Sequence, residues 1–183
     1  MKKMILAFLI FSLATGTAYA QNSLRTKQFN LEKGVAIQGY DPVAYFTVGA
    51  PTKGNASFTA KYEGASYFFA SAENLKKFKA NPAAFAPQYG GFCAMGVALE
   101  KKLDGDPAVW KIVDGKLYLN VNADVSVAWQ RDIPGNLEKA NDYWPEIKGK
   151  TPASLKKIDK AFWQKYRAIQ TEGPMAVKGC LAG

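Results

Sequence analysis

Sulfur is the feature of this chain that first suggests chemistry. Outside the first twenty residues, its sulfur atoms belong to Cys93, Met95, Met175 and Cys180, so each cysteine has a methionine nearby in sequence. Thiolate and thioether groups are soft ligands of the kind that Cu(I) prefers. Residues 93 and 95 would also share one face if that stretch is extended. The four residues are therefore one candidate set for binding copper or another soft metal.

Three other states of Cys93 stay open. An exported protein with two cysteines commonly forms a disulfide, and closing the loop between Cys93 and Cys180 would contribute about 4 to 5 kcal/mol in the chain-entropy model. Cys93 could instead be an unpaired residue packed in the core. The last alternative is a redox-active thiol, which would need a depressed pKa.

The absence of histidine limits the catalytic alternatives. A chain without histidine cannot run a Ser-His-Asp or Cys-His mechanism, and it cannot build an imidazole-rich metal site. Asp104 and Asp106 form a carboxylate pair in "LDGDP", but aspartate and glycine are the usual residues of turns. Asp41 is expected to cap a helix. We therefore assign no catalytic residue and expect a protein that is not an enzyme.

The first residues predict export. Lys2 and Lys3 precede an apolar run from residue 4 to 13, and Ala18 and Ala20 fit a signal peptidase site. Cleavage after Ala20 would place the mature protein in the periplasm or outside the cell. The net charge of +9 is concentrated in residues 150–183. Because the rest of the chain does not gather basic and aromatic residues together, we expect no nucleic-acid partner.

Two segments predict β-hairpins. "ASFTAKYEGASYFFAS" contains two alternating runs joined through Glu63 and Gly64. "VWKIVDGKLYLNV" places Asp114 and Gly115 between two β-rich runs, the sequence of a two-residue type I′ turn. No internal repeat is evident.

Short helices are predicted around the hairpins, which makes the fold class α+β. One follows Asp41 and Pro42, a second begins at a Ser71 cap, and two more lie on either side of Pro134-Gly135. Either Asn122 or Asp124 would cap the first of that last pair. Residues 82–102 are expected to form a constrained loop that leads into a strand or a short helix.

The chain divides into four predicted parts. Residues 1–20 form the signal peptide, 21–34 a lead-in segment with order beginning near Val35, 35–149 the domain, and 150–183 a basic helical tail. In the tail, apolar residues recur at helical spacing among lysines. Residues 151–170 would dock back on the domain or bind an anionic membrane surface or a protein groove.

Several segments in order resemble the exported branch of the YHS-domain family: "GYDPVAYF", then "YFFASAENLKKFKANPAAFAPQYGGFCAMGVA", "WKIVDGKLYLN" and "DIPGN". The resemblance implies a small α+β domain and an association with metal or stress handling. Metal-associated members carry cysteines in "DPVC" and "FCS" segments. Here Ala44 and Ala70 stand at those places and Asn74 offers only an amide, so the resemblance implies that the usual cysteine site is lost.

A group of mainly aromatic residues near the family segments could line a pocket for a flat or apolar ligand, although aromatic residues also form much of the core of small domains. This candidate pocket consists of Tyr40, Asp41, Tyr45, Tyr89, Phe92 and Trp110. The function that we expect is therefore recognition of a small ligand or a protein, without turnover.

Overall fold

The computed structural model describes residues 27–155 together with residues 161 and 164. The predicted signal peptide, most of the predicted tail helix, Met175 and Cys180 lie outside the described residues. Among the described helices, none has both the length and the apolar character needed to cross a membrane. The described part combines short helices with two small sheets, which confirms the α+β class.

The first sheet has four strands in the order β1-β2-β4-β3. Strand β2 runs parallel to β4, and the other neighbours are antiparallel. The predicted hairpin is formed by β3 and β4, with a turn at Glu63 and Gly64, where φ is 50° and 91°. The strands are β1 (Leu31–Glu32), β2 (Val35–Ala36), β3 (Asn55–Tyr62) and β4 (Ala65–Phe69).

The second predicted hairpin forms a separate two-stranded sheet of β5 (Asp106–Val113) and β6 (Lys116–Asn120). Asp114 and Gly115 make its turn with φ of 49° and 69°. A type I′ turn needs positive φ at both central residues, so this prediction is confirmed.

Within residues 27–155, six α-helices surround the sheets, and three short 3₁₀ turns lie at residues 37–39, 88–91 and 152–154. The helices are α1 (Ala44–Thr47), α2 (Ala72–Ala80), α3 (Pro82–Phe85), α4 (Ala94–Val97), α5 (Ala123–Gln130) and α6 (Ile133–Ile147).

The predicted helix caps are present. The Ser71 hydroxyl accepts the N–H of Asn74 at 3.1 Å at the start of α2. At the start of α5, Asn122 accepts the N–H of Val125 at 2.9 Å, so Asn122 and not Asp124 is the cap. A side-chain oxygen in this position satisfies one of the N–H groups that a helix start leaves without a partner.

The break between α5 and α6 comes before the Pro-Gly pair that was predicted to make it. Asp132 caps α6 by accepting the N–H of Gly135 at 3.0 Å, and Pro134 and Gly135 lie in the first turn of the helix. Proline is tolerated there because an N–H in the first turn has no partner within the helix.

The stretch around Cys93 is not extended. Cys93 is the N-cap of α4, and residues 94–97 are helical, so the short helix is the correct alternative for this segment. The prediction that residues 93 and 95 share one face depended on an extended chain, and the structure does not meet that condition.

Packing begins earlier than the predicted Val35. The N–H of Asn30 donates to the carbonyl oxygen of Gly90 at 2.9 Å, and β1 pairs with β2. Gly90 has φ of 62°, and a side chain there would collide with the backbone at Gln28. The glycine therefore lets residues 27–30 lie directly on the 3₁₀ turn.

The buried apolar side chains form two clusters. The first joins the first hairpin, α1 and α2 to the inner face of β6. The second joins α4, α5 and α6 to the other face of β6, with Trp129 fully buried in it. Strand β6 therefore lies between the two clusters and connects them.

Candidate functional site

An open cavity of about 350 Å³ lies where the first hairpin turn, the connection after α3 and helix α6 meet. Four aromatic residues contribute to its wall, and Glu63 and Lys116 bring opposite charges. The lining residues are Gln28, Phe29, Tyr62, Glu63, Ala83, Ala86, Pro87, Gln88, Tyr89, Gly90, Lys116 and Trp144.

Tyr89 is held in place at the cavity wall. Its hydroxyl donates to the side-chain oxygen of Asn141 at 3.0 Å, and its ring lies 5.7 Å from that of Trp144 and 5.9 Å from that of Tyr118. Burial raises the pKa of Tyr89 above the ordinary value, so the hydroxyl stays protonated. Its φ of 53° is rare for a residue with a side chain. This part of the wall is therefore formed in advance of any ligand.

Behind this wall, Lys102 connects the start of the described chain to the end of α6 through hydrogen bonds. Its side chain is buried, and the ammonium donates to the carbonyl oxygens of Lys27, Lys148 and Lys150, the last two at 3.0 and 2.8 Å. It also lies 5.8 Å from the centroid of the Trp144 ring. Burial, with a smaller effect of the Lys27 charge, lowers the pKa of Lys102 to about 8. Lys102 therefore joins residue 27 to the end of α6, and both neighbouring segments line the cavity.

Asp41 has a structural role, and its carboxyl group is not exposed to solvent or to a substrate. The residue is fully buried. Oδ1 accepts the N–H groups of Val43 at 2.8 Å and Ala44 at 3.3 Å. Oδ2 accepts the N–H of Ala70 at 2.8 Å and the Asn74 amide at 2.7 Å. The carboxylate thus connects Ala44 and Ala70, the two places where the resemblance implied that cysteines are lost.

Cys93 has surroundings unfavourable for a reactive thiol. Its side chain is fully buried, and its S–H faces Oδ1 of Asn120 at 3.4 Å. The backbone N–H of Gly96 donates to the sulfur at 3.3 Å, and the N–H groups of Val121 and Met95 lie close to it. The Met95 N–H donates to Oδ1 of Asn120 at 3.2 Å. Burial raises the pKa of Cys93 to about 11 despite these N–H groups. The thiol is therefore protonated at neutral pH, whereas a cysteine that binds a metal must be deprotonated.

The remaining sulfur predictions stay open. Met95 is buried beside Cys93, whereas Met175 and Cys180 lie outside the described residues. The four-residue soft-metal set and the Cys93–Cys180 disulfide therefore stay predictions. Within residues 27–155, no three His, Cys, Asp or Glu side chains are grouped so that they could hold a metal ion.

Of the six residues predicted to form a pocket, Tyr89 lines this cavity and the other five do not. Tyr40 lies under the Lys53 ammonium, 4.0 Å from its ring centroid. Tyr45 is fully buried, donates to the Pro107 carbonyl oxygen at 2.9 Å and packs edge-on against Trp110. Asp41 has the structural contacts described above. Phe92 is buried under Lys102, with the ammonium 4.6 Å from its ring.

Sequence reasoning missed Lys102, Asn120 and Trp144. Lys102 follows Lys101 in a polar run, and nothing in that run distinguishes the buried lysine from its neighbour. Asn120 ends β6 in a position that reads as an ordinary strand end. Trp144 lies in α6, and its contact with Tyr89 could not be inferred from the local sequence pattern.

A comparison of the sequence with known protein families gave a match. Residues 43–89 match the model of the YHS domain. The protein contains a YHS domain. The matched YHS segment runs from the start of α1 through the first hairpin to Tyr89 at the cavity wall. A search of curated proteins and a search of solved structures gave no significant match.

Proposed function

We propose that this YHS-domain protein is an exported binding protein, without catalytic activity, that holds a small flat ligand in the cavity beside Tyr89 and Trp144. The cavity is the observation that carries the proposal. Its volume of about 350 Å³ lies within the range of roughly 300–1,000 Å³ that is usual for small-molecule sites. The aromatic wall suits a flat apolar body, and Glu63 and Lys116 can orient polar groups of the ligand.

The contacts of the two residues first considered for chemistry support recognition over turnover. Asp41 accepts four hydrogen bonds inside the domain, and Cys93 is a buried, protonated thiol. The chain also has no histidine to act as a general base. The association of YHS domains with metal handling supports an accessory role in metal or stress handling, in which the ligand itself is not a metal ion.

The experiment that tests the proposal uses anilinonaphthalene sulfonate, a flat aromatic anion, as the probe. The mature protein is titrated with this probe and its fluorescence is measured. We expect saturable binding to one site. Ala83→Trp should then weaken binding at least about tenfold, because Ala83 lines the cavity and the indole would fill part of it.

Ala84→Trp is the matched control. Ala84 is the next residue of α3, is also exposed and does not line the cavity, so this variant should bind as the wild type does. Both variants are first shown to unfold cooperatively, since partly folded proteins also bind this probe. Equal binding by Ala83→Trp and Ala84→Trp, or the lack of a saturable site in the wild type, would contradict the proposal.

A further inference from the structure

Two stretches of the backbone share an unusual conformation. Residues 37–39 have φ of 51°, 50° and 78°, and residues 89–91 have φ of 53°, 62° and 83°. Three consecutive positive values are rare because L-residues avoid this region. In both stretches the residue that follows donates its N–H to the first carbonyl oxygen of the turn, at 2.9 and 3.1 Å. A four-residue helix comes next in each case, α1 or α4.

The strands of the two hairpins have the same lengths and the same spacing along the chain. Strands β5 and β6 begin and end 51 positions after β3 and β4. The pairing of each hairpin shifts at the same place, between Asn55 and Thr59 in one and between Asp106 and Trp110 in the other. The side chains of Asn55 and Asp106 each accept the N–H two residues later, both at 2.8 Å.

The helices that follow the two hairpins, α2 and α5, also occupy corresponding positions. Helix α5 begins 51 positions after α2. In the first case the rings of Tyr67 and Phe78 lie 5.0 Å apart at 38°, and in the second the rings of Tyr118 and Trp129 lie 5.6 Å apart at 40°. Each tyrosine and each helix residue is again 51 positions from its counterpart.

A glycine before each hairpin has the same neighbour. A Cβ atom on Gly54 would lie 2.5 Å from the carbonyl carbon of Phe68, and one on Gly105 would lie 2.8 Å from Cβ of Leu119. Neither distance is tolerated in a folded protein. Both positions therefore exclude a side chain, and their neighbours Phe68 and Leu119 are again 51 positions apart. At Gly105 the carbonyl oxygen of Gly91 is nearer still.

Asp41 and Cys93 occupy the same nest of backbone N–H groups. Asp41 accepts the N–H groups of the residues two and three places later and of Ala70, which follows β4. The N–H of Gly96, three places after Cys93, donates to the Cys93 sulfur at 3.3 Å, and the N–H of Val121, which follows β6, also points at it. The N–H of Met95, two places after Cys93, donates to Oδ1 of Asn120 at 3.2 Å. A carboxylate and a thiol thus hold the start of α1 and of α4 against the end of the neighbouring hairpin.

We infer that residues 89–130, the second unit, are a second copy of the structural unit formed by residues 37–80, the first unit, with Cys93 as the positioning residue equivalent to Asp41. The repeat corrects the sequence-based expectation of none. It is hidden because few residues are the same after 51 positions. Those that are identical within the hairpin and helix are Gly54, Gly64, Tyr67 and Ala72.

The repeat has a consequence for the cavity, and this consequence rests on the proposed function. Tyr62 and Glu63 come from the first unit, whereas Tyr89, Gly90 and Lys116 come from the second. The ligand would therefore bind at the seam between the two copies, in contact with both.

The equivalence of the units is tested by introducing the side-chain pair of Asp41 and Asn74 at the corresponding positions of the second unit. Asn74 donates to Asp41 in the first unit, and Val125 stands at the position of Asn74 in the second. Four proteins are compared by thermal unfolding: wild type, Cys93→Asp, Val125→Asn and the double variant. Val125→Asn should lower the Tm in the wild-type background, because it places an amide in the core. In the Cys93→Asp background it should raise the Tm, because the amide then meets a carboxylate.

Val127→Asn is the control in both backgrounds. Val127 lies on the same helix but is 49% exposed, so its substitution should have the same small effect whichever residue is at position 93. If Val125→Asn lowers the Tm equally in both backgrounds, the equivalence is wrong.

Should Cys93→Asp fail to fold alone, amide hydrogen exchange of the wild type decides the question. The N–H groups of Gly96 and Val121 should then be as protected as those of Ala44 and Ala70. Exchange of Gly96 and Val121 at the rate of surface amides overturns the inference.

Discussion

The first and second units place different side chains in the same nest of N–H groups. In the first, the Asp41 carboxylate accepts three backbone N–H groups and the Asn74 amide. In the second, the Cys93 thiol is a weak acceptor, and the buried Nδ2 of Asn120 has no hydrogen-bond partner among the described residues. The donors around Asp41 are therefore all satisfied, whereas an amide next to Cys93 is left without a partner. Away from these two sites, each unit holds one further buried donor without a partner among the described residues, the Tyr67 hydroxyl in the first and the Trp129 indole N–H in the second.

The two units also differ in their likeness to the family model. The YHS model matches residues 43–89, in the first unit and the connection after it. The second unit replaces the Asp-Pro pair at the helix start with Cys93 and Ala94, although its backbone has the same course. A fold can therefore be kept by backbone hydrogen bonds and packing after the residues that identify it in sequence have changed.

The largest expected effect on stability comes from removing the Asp41 carboxyl group of the first unit. Asp41→Ala should lower the free energy of unfolding by roughly 3 to 5 kcal/mol, because several buried donors lose a charged acceptor at once. Cys93→Ala should cost only about 1 to 2 kcal/mol, since the thiol is a weak acceptor and a small side chain. Urea unfolding followed by circular dichroism measures both losses.

Asp142→Ala is the control for removing a negative charge, because Asp142 is exposed on α6. It should change the free energy of unfolding by less than about 0.5 kcal/mol. A loss for Cys93→Ala as large as that for Asp41→Ala would show that the two nests depend equally on their caps.

Local sequence was sufficient for the parts of each unit that depend on backbone conformation. Glu63-Gly64 and Asp114-Gly115 predicted both turns, and the caps of α2 and α5 were readable because a side-chain oxygen precedes each helix. Asp41 accepts the N–H groups of Val43 and Ala44, although α1 begins two residues after the predicted Pro42. These signals act between residues close in sequence.

The candidate site and the repeat depend on contacts between distant residues. Lys101 and Lys102 are the same residue type, yet only Lys102 meets carbonyl oxygens of residues 27, 148 and 150. Tyr89 lines the cavity because α6 brings Trp144 beside it. The repeat is expressed in φ angles, register and hydrogen bonds, which different residue types can satisfy equally well.

A smaller effect on stability is expected from pH, through the Cys93 thiol of the second unit. The Cys93 pKa is raised from 9.0 to about 11 on folding, mainly by burial. Its contribution to stability is therefore fully present below pH 9 and is lost as the pH rises to 11, because the unfolded chain releases the proton first. The loss would reach about 2 to 3 kcal/mol.

Cys93→Ser provides the reference for this measurement, since serine does not titrate in this range. Buried tyrosines also destabilise the fold at high pH, but they do so equally in both proteins. The stability of the wild type relative to Cys93→Ser should therefore fall between pH 9 and 11. A difference that is independent of pH would contradict burial of the protonated thiol.

The smallest expected effect tests whether the two hairpin turns are equivalent. Gly64 and Gly115 both have positive φ, at 91° and 69°. Gly64→Ala and Gly115→Ala should each cost about 1 kcal/mol, because alanine is strained in this conformation. Gly149→Ala is the control: a side chain there would meet open space, φ is not positive, and stability should hardly change. If one turn tolerates alanine and the other does not, the two hairpins differ in the conformation of their turns, and the correspondence between the units ends at their strands.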